Sequence, residues 1–206
     1  MAHQTVWFHT DLPEDMIRDI ENHLKIYENQ LHQSGVSKDN VVNTKIRNSY
    51  NSWINTNHWI AGFAWHYVEK ANRENFLYDI ERFDGDGVQY TRYNPGEFYH
   101  WHTDADLTNC NVMESGDSRT SESHENYLNR KCEKMRKLSF ILQLSNPEDY
   151  KGGNVQFIGL DNKSYFIPRQ RGTIAVFDSR TPHRVLKVKE GVRRSIVGWV
   201  IGPRWR

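Results

Sequence analysis

Three side chains in this sequence have the types and the spacing of a metal site. His102 and Asp104 lie two residues apart in the segment 98–104, FYHWHTD, whose alternation predicts a strand with both side chains on one face. His183 follows a turn at Pro182 and begins another apolar segment. Two imidazoles and one carboxylate on one side of a metal leave three positions open, as in non-haem iron(II) oxygenases. A His-x-Asp pair is common by chance, so other residues must support the assignment.

An arginine ten residues after His183 adds a possible anion site. In the segment 191–199, alternation places Arg193 and Ser195 on one face and Arg194 on the other. An inward arginine in an otherwise apolar strand is costly unless it meets an anion. A guanidinium with a neighbouring hydroxyl suits the distal carboxylate of a dicarboxylic acid. The alternatives are that Arg194 is the buried residue or that both arginines are exposed.

The elements that must position these residues are mostly short strands. From residue 78 onward the apolar period is that of strands, and turns rich in Gly, Pro and Asn separate them. Strands are predicted at 5–8, 43–54, 78–83, 87–93, 98–104, 138–144, 154–158, 164–167, 172–177, 184–189 and 193–201. Many short strands after two helices indicate a mainly β fold, an antiparallel jelly roll with helices on its outer face.

Two amphipathic helices are predicted before this strand-rich part. The first has Asp11 or Thr10 as its N-cap and Pro13 in its first turn, and the second covers about 57–75. Their apolar residues recur at three- and four-residue steps, so each helix lies on an apolar surface. A single domain over 1–206 follows, with helical support at about 11–75 and a β core at about 78–206.

Composition excludes several classes of protein. With 27 Lys+Arg against 26 Asp+Glu the net charge is +1, so we expect no nucleic-acid or anionic-membrane partner. Cys110 and Cys132 are too few for a disulfide framework, and the sequence leaves open whether they pair. No signal peptide or membrane-spanning run is visible, so we expect a cytoplasmic protein.

The sequence resembles the prolyl 4-hydroxylase-like iron(II)- and 2-oxoglutarate-dependent dioxygenases. The resemblance extends in order over roughly residues 45–206, and it depends on separated motifs that agree with one another. The motifs lie at 89–104, QYTRYNPGEFYHWHTD, at 137–145, at 150–153, and from 171–173 through 202–203. The fold implied is the double-stranded β-helix, which is cupin-like and agrees with the predicted strands.

The resemblance implies that His102, Asp104 and His183 are the iron ligands. His100 is a rival, because His100-x-His102 with His183 also resembles a cupin site. Same-face neighbours on a strand stand roughly 6.5–7 Å apart, so one ion does not take all three. The resemblance selects His102 and Asp104 and leaves His100 to hydrogen-bond near the mouth of the site.

The same resemblance implies a co-substrate site. Arg193 would bind the C5 carboxylate of 2-oxoglutarate, with Ser195 as its helper. Tyr93 resembles the pocket tyrosine of the family, and Gln143 stands where some relatives have a second tyrosine. The implied cofactors are Fe(II), 2-oxoglutarate as co-substrate and O2, with ascorbate as an expected reductant.

The implied reaction is hydroxylation of an unactivated C–H bond with release of succinate and CO2. Asp104 fills the position that halogenating relatives leave for chloride, so hydroxylation is favoured. We expect the substrate to be a prolyl residue in a peptide or protein, held partly by the polar segment 105–137, which directly follows Asp104. The alternatives are a hydroxylase of a free amino acid or small metabolite and a non-catalytic jelly-roll binding module. Conversion of 2-oxoglutarate to succinate separates the enzymes from the module.

Overall fold

Short strands and two helices make up the regular structure of the chain. The computed structural model describes residues 5–36, 42–85, 87–105 and 134–205. The helices are α1, Glu14–Glu28, and α2, Trp59–Ala71, which continues into a π-helical turn at Asn72–Phe76. The strands are β1 Val6–His9, β2 His32–Gln33, β3 Arg47–Asn48, β4 Tyr50–Asn55, β5 Arg82–Phe83, β6 Gly87–Tyr93, β7 Phe98–His102, β8 Lys134–Gln143, β9 Tyr150–Gly152, β10 Val155–Ile158, β11 Ser164–Phe166, β12 Ile174–Asp178, β13 His183–Val185, β14 Val188–Gly191 and β15 Arg193–Pro203.

Two main sheets form from these strands, and their described pairs are antiparallel. The larger sheet has the order β1-β12-β8-β15-β6-β4-β2, with β5 paired to β15. The smaller sheet has the order β11-β10-β13-β7-β3, and β14 pairs separately with β9. The predicted mainly β fold with two flanking helices is therefore confirmed.

The central strands of the larger sheet are buried on both faces. On β8, Leu138, Phe140 and Leu142 pack with residues of α1 and α2 in one apolar cluster. Ile141, between them in sequence, belongs to a second cluster that includes Phe157 of the smaller sheet. Alternation along the strand thus sends one set of side chains to the helices and the other to the smaller sheet. This explains why β8 is an almost continuous buried run.

The start of α1 differs from the prediction. Neither Asp11 nor Thr10 is its N-cap: the helix begins at Glu14, and its N-cap is Pro13, which makes no side-chain hydrogen bond to the helix. Pro13 has an extended ψ of 139°, so Asp11 lies too far upstream to reach the first free helical N–H groups. The first turn is stabilised instead by the acidic residues Glu14 and Asp15.

Three predicted strands are also wrong in extent. The segment 43–54 divides between β3 and β4, which belong to different sheets. Of the segment 78–83 only β5 is a strand, because Leu77 ends the π-helical turn in the left-handed region and Asn72 then bonds both backbone groups of Tyr78. The segment 184–189 divides between β13 and β14, which belong to different sheets. Between them, the N–H of Leu186 donates to the carbonyl of Asn154.

The part of the chain before residue 78 contributes strands to the larger sheet. β2 and β4 lie within 11–75, where a strand at 43–54 was predicted beside the two helices, and β4 pairs along its length with β6. The N-terminal part therefore contributes both sheet and helix. Among the helices of the described residues, none is long and apolar enough to span a membrane.

Candidate metal centre

His102, Asp104 and His183 come together at the ends of two neighbouring strands. His102 ends β7, His183 begins β13, and the two residues pair directly across the smaller sheet. Nε2 of His102 lies 3.7 Å from Oδ1 of Asp104, and Nε2 of His183 lies 3.5 Å from Oδ2 of Asp104. The three ligand atoms all lie within 4.8 Å of one another. Two imidazole nitrogens and one carboxylate at this spacing fit a single iron(II) ion.

Backbone carbonyls orient both imidazoles. Nδ1 of His102 lies 2.7 Å from the carbonyl oxygen of His100, and Nδ1 of His183 lies 2.9 Å from that of Thr181. Because a carbonyl only accepts hydrogen bonds, each Nδ1 is the protonated nitrogen and donates. Each Nε2 therefore presents its lone pair towards Asp104, the arrangement that metal-binding histidines require.

The protonation states of these residues suit metal binding. Burial, followed by the neighbouring His183, lowers the pKa of His102 to about 3. Burial by itself raises the pKa of Asp104, but His183, His102 and Arg136 lower it below its ordinary value overall. A neutral imidazole and an ionised carboxylate are the forms that bind a metal, so at neutral pH these two ligands need lose no proton.

A β-bulge beside the centre changes which residues of β7 face it. Tyr99 and His102 pair with Val185 and His183, so two residues of β7 oppose the single Arg184. The ring of Tyr99 comes to lie on that of His102, with the centroids 3.5 Å apart. Strict alternation along 98–104 predicts that Tyr99 lies on the face opposite His102, and this prediction is wrong because of the bulge.

His100 takes no part in the ligand set. Its side chain is exposed and its ring lies 4.7 Å from that of Phe98. The hydrogen bond expected of this side chain is not formed with any described residue. The contribution of His100 is its backbone carbonyl, which holds the ring of His102.

The residues predicted for the co-substrate also lie together. Arg193 is 1% exposed, and its NH2 group donates to Oε1 of Gln143 at 2.7 Å. Its NH1 group lies 3.4 Å from Oγ of Ser195, and its guanidinium carbon lies 5.6 Å from the ring centroid of Tyr93. Arg194 points to the opposite face, where it binds Glu28 of α1.

Arg193 lacks an anion among the described residues. Its Nε is buried without a hydrogen-bond partner, and burial lowers the pKa of the guanidinium. A buried cation with an unused donor is costly unless a ligand completes it. The arrangement fits the C5 carboxylate of 2-oxoglutarate.

A cavity of about 230 Å³ contains the three candidate ligands. Its wall includes Tyr93, whose ring centroid lies 5.6 Å from the guanidinium carbon of Arg193, but Arg193 itself is not part of the wall. The polar residues of the wall that were not predicted as site residues include Arg47, Gln89 and Arg136. Gln89 begins the motif 89–104, but no motif marks Arg47 or Arg136, because strand pairing between distant parts of the chain brings them to the cavity.

Part of the predicted site lies outside the described residues. Of the segment 105–137, only Ala105 and residues 134–137 are described, and Cys110 and Cys132 are not. The expectation that this segment holds the substrate therefore stays a prediction.

Comparison with known proteins identifies the family. A model described as the 2OG-Fe(II) oxygenase superfamily matches residues 88–201, which contain all three candidate ligands and Arg193. The chain belongs to the 2OG-Fe(II) oxygenase superfamily.

Among curated proteins, this oxygenase is 32% identical over 136 residues to a PKHD-type hydroxylase of Synechococcus elongatus. That alignment covers 65% of the chain and 52% of the relative. The chain thus spans about half the length of the curated relatives it matches first.

Solved structures show the fold of the oxygenase. A prolyl-4-hydroxylase of Pseudomonas putida superimposes with a TM-score of 0.68 at 22% identity, covering 98% of this chain and 94% of that one. A prolyl hydroxylase of Trichoplax adhaerens, in complex with a hypoxia inducible factor peptide fragment, gives 0.71 at 16% identity, with 96% and 84% covered. These likenesses confirm the double-stranded β-helix.

Proposed function

We propose that the protein is an iron(II)- and 2-oxoglutarate-dependent dioxygenase that hydroxylates a prolyl residue in a peptide or protein. The observation that carries the proposal is the convergence of His102, Asp104 and His183 within 4.8 Å, on the wall of a cavity. One oxygen atom of O2 enters the C–H bond and the other enters succinate, while the C1 carboxyl group of 2-oxoglutarate leaves as CO2. Electrons balance, because oxidation of 2-oxoglutarate and oxidation of the C–H bond each supply two.

The three side chains have distinct roles in this scheme. His102 and His183 would bind iron through Nε2, and Asp104 would bind through a carboxylate oxygen. When bound, the iron supplies activation of O2 coupled to decarboxylation of 2-oxoglutarate. Because the carboxylate of Asp104 would itself take a coordination position on the iron, hydroxylation is favoured.

Arg193 would hold the co-substrate. Its guanidinium, already held by Gln143 and Ser195, offers the unpartnered Nε to the C5 carboxylate. By binding one end of 2-oxoglutarate, Arg193 would fix the position of the other, reacting end and would take no part in the chemistry itself. Apolar residues on the cavity wall, including Ile141, Phe177 and Val185, limit access of water.

The prolyl substrate is supported by the relatives. The Pseudomonas putida and Trichoplax adhaerens structures are prolyl hydroxylases by name, and the second contains a peptide. In this chain, Trp53 lines the cavity and is 47% exposed, so the cavity reaches the surface beside a large aromatic ring. Such a ring suits contact with a pyrrolidine ring of an extended peptide.

The test is formation of succinate from 2-oxoglutarate together with a gain of one oxygen atom by a prolyl peptide. Both products should require Fe(II), be abolished by a chelator, and be lost in Asp104→Ala. Omitting ascorbate separates a requirement for that reductant from the reaction itself. Absence of iron-dependent succinate formation, or oxidation of free amino acids alone, contradicts the proposal.

A further inference from the structure

A second buried arginine lies on the wall of the same cavity. Among the described arginines only Arg47 and Arg193 are buried, at 7% and 1% exposure. Neither forms an ion pair with a described carboxylate. The other described arginines close to acidic groups do have such partners: Arg92, Arg136, Arg171, Arg180 and Arg194. Arg47 and Arg193 are therefore the two buried arginines that the described residues leave without an anion.

Neutral groups fix the orientation of Arg47. Its Nε donates to Oγ of Ser49 at 3.0 Å, and NH2 donates to Oε1 of Gln89 at 2.7 Å. NH1 makes only a long bond, 3.4 Å, to the carbonyl of Gly35. A guanidinium has five N–H groups, so these three bonds leave two donors. A buried guanidinium with neutral partners is costly, and a carboxylate at the cavity would offset that cost.

The position of Arg47 connects it with the metal centre. It belongs to β3, which pairs with β7, and it lies directly opposite Tyr99. Its guanidinium carbon lies 4.9 Å from the ring centroid of Tyr99, which in turn stacks on His102 at 3.5 Å. Two successive contacts thus join this cation to a candidate iron ligand.

We propose that Arg47 binds a carboxylate of the substrate, and that the enzyme prefers prolyl substrates with a carboxylate close to the hydroxylated carbon. This inference rests on the proposed function. The co-substrate has two carboxylates, one for the metal and one for Arg193 on the other sheet, so the anion that Arg47 binds belongs to the substrate. The carboxylate is either an acidic side chain near the prolyl residue or the α-carboxylate at a C-terminus.

Peptides that differ only in charge test the preference and its source. One series carries Asp or Asn at single positions within three residues on either side of the prolyl residue. The other series ends in a free carboxylate or an amide. Binding is measured by tryptophan fluorescence with Mn(II) and 2-oxoglutarate in the absence of oxygen, and hydroxylation is measured with Fe(II). In one of the two series, whichever contains the preferred carboxylate, we expect the acidic peptide to bind about 30-fold more tightly than its amide counterpart, as for a buried charge pair.

Three variants connect the preference with Arg47. Arg47→Gln should reduce the acid-to-amide ratio to within about threefold, since the charge is gone. Gln89→Glu places a carboxylate on Arg47 with little change in shape, and should also remove the preference if Arg47→Gln fails to fold. Arg184→Gln is the matched control, because this arginine lies over Trp101 outside the cavity wall, and it should keep the full ratio.

The outcomes separate this inference from the proposed function. No iron-dependent conversion of 2-oxoglutarate by the wild-type protein contradicts the proposed function. Conversion without an acid preference in either series contradicts the role of Arg47 alone. A large rise in the KM for 2-oxoglutarate in Arg47→Gln also overturns the inference, because Arg47 would then anchor the co-substrate.

Discussion

The two candidate histidine ligands differ from His100 in the hydrogen bonds of their ring nitrogens. In His102 and His183 the backbone uses Nδ1 and leaves Nε2 directed at Asp104, whereas His100 is exposed and offers only its carbonyl. The residue types and their spacing made these residues candidates, and the resemblance to a family selected His102 and Asp104 over His100. The β-bulge at His100 was not visible in the sequence, because it forms only when β7 pairs with β13.

Single alanine substitutions should divide these four residues into two groups. His102→Ala, Asp104→Ala and His183→Ala should each weaken Mn(II) or Fe(II) binding by more than the roughly 10- to 100-fold typical of losing a group that only hydrogen-bonds to a metal ligand. His100→Ala should bind as the wild type does, because its backbone carbonyl remains. Titration calorimetry under anaerobic conditions measures this. Loss of binding in His100→Ala with retention in Asp104→Ala reverses the assignment.

Arg193 and Arg194 should differ sharply in their effect on 2-oxoglutarate. Removing one partner of a buried ion pair costs roughly 3–5 kcal/mol, so Arg193→Ala should lower the affinity by about two to three orders of magnitude. Arg194→Ala should change it little, because its partner is Glu28 on the far face of the sheet. Binding of 2-oxoglutarate to the Mn(II)-loaded protein is the measurement. Equal losses of 2-oxoglutarate affinity in the two variants would mean that neither strand alternation nor burial identifies the arginine that binds the co-substrate.

The depressed pKa of His102 predicts acid sensitivity of the metal-free protein. Burial lowers the pKa from 6.5 to about 3, so between these values the unfolded chain binds the extra proton and the folded protein does not. The free energy of unfolding should therefore fall as the pH is lowered from about 6.5 towards 3. Urea unfolding of chelator-treated protein at several pH values measures this fall. His102→Gln should show a smaller fall, and an unchanged pH dependence in that variant contradicts the burial argument.

At the scale of elements, period and turn residues predicted most strands, and local hydrogen bonds explain the exceptions. The predicted strand 87–93 coincides with β6, and 164–167 and 154–158 differ from β11 and β10 by one residue at one end. The segment 78–83 failed because side-chain bonds of Asn72 hold the backbone after α2 in a non-strand conformation. Such competition between a side chain and the sheet depends on three-dimensional distances, which period alone does not contain.

Helix α1 is attached to the larger sheet by ion pairs near both ends. Arg171, before β12, binds Glu14 and Glu21, and at the other end Glu28 accepts hydrogen bonds from Arg92 and Arg194. The amphipathic pattern predicted the apolar side of α1, which buries Ile17, Ile20 and Leu24. The ion pairs join residues more than 60 positions apart, and no short motif indicated them.

Removal of the Glu28 charge should destabilise the protein without changing the metal centre. Glu28→Gln leaves Arg92, Arg194 and the Tyr90 hydroxyl without their shared carboxylate, which we expect to cost about 1–3 kcal/mol and several degrees in Tm. Mn(II) affinity should stay at the wild-type value, since α1 lies on the other face of the sheet. Glu69→Gln, an exposed residue of α2, is the control. A stability equal to that of the control contradicts the attachment.

At the scale of the whole molecule, two apolar clusters lie on opposite faces of the larger sheet. One packs against the helices, and the other lies on the side of the candidate metal centre. Leu142 and Ile196 pack on the helical side, while Ile141 and Tyr93 pack towards the smaller sheet and the cavity. Sequence alternation predicted which side of β15 holds Arg193. It did not predict that Arg47 would share the cavity, because β3 reaches β7 only through a pairing across some 50 residues of chain.

The C-terminal end of the described chain packs beside the turn that hydrogen-bonds to the backbone of Asp104. The ring of Trp205 lies between Lys137, with Nζ 3.4 Å from its centroid, and Arg180, whose guanidinium carbon is 4.1 Å away. These contacts flank the turn at Ser179, whose N–H donates to the carbonyl of Lys137 and whose own carbonyl accepts from Asp104. A tryptophan outside the cavity wall is thereby connected with the position of a candidate ligand.

Loss of the Trp205 contacts should weaken metal binding and lower the stability of the protein. Trp205→Ala removes two cation–π contacts beside the turn at Ser179. We therefore expect a lower Tm and roughly 10-fold weaker Mn(II) binding, the effect of losing a group that holds a metal ligand in position. Trp205→Phe keeps an aromatic face between the two cations and should restore most of both. Trp59→Ala removes a half-exposed tryptophan at the start of α2 and should leave Mn(II) affinity unchanged. If Trp205→Ala lowers Tm but binds Mn(II) as tightly as the wild type, the C-terminal contacts stabilise the fold without positioning Asp104.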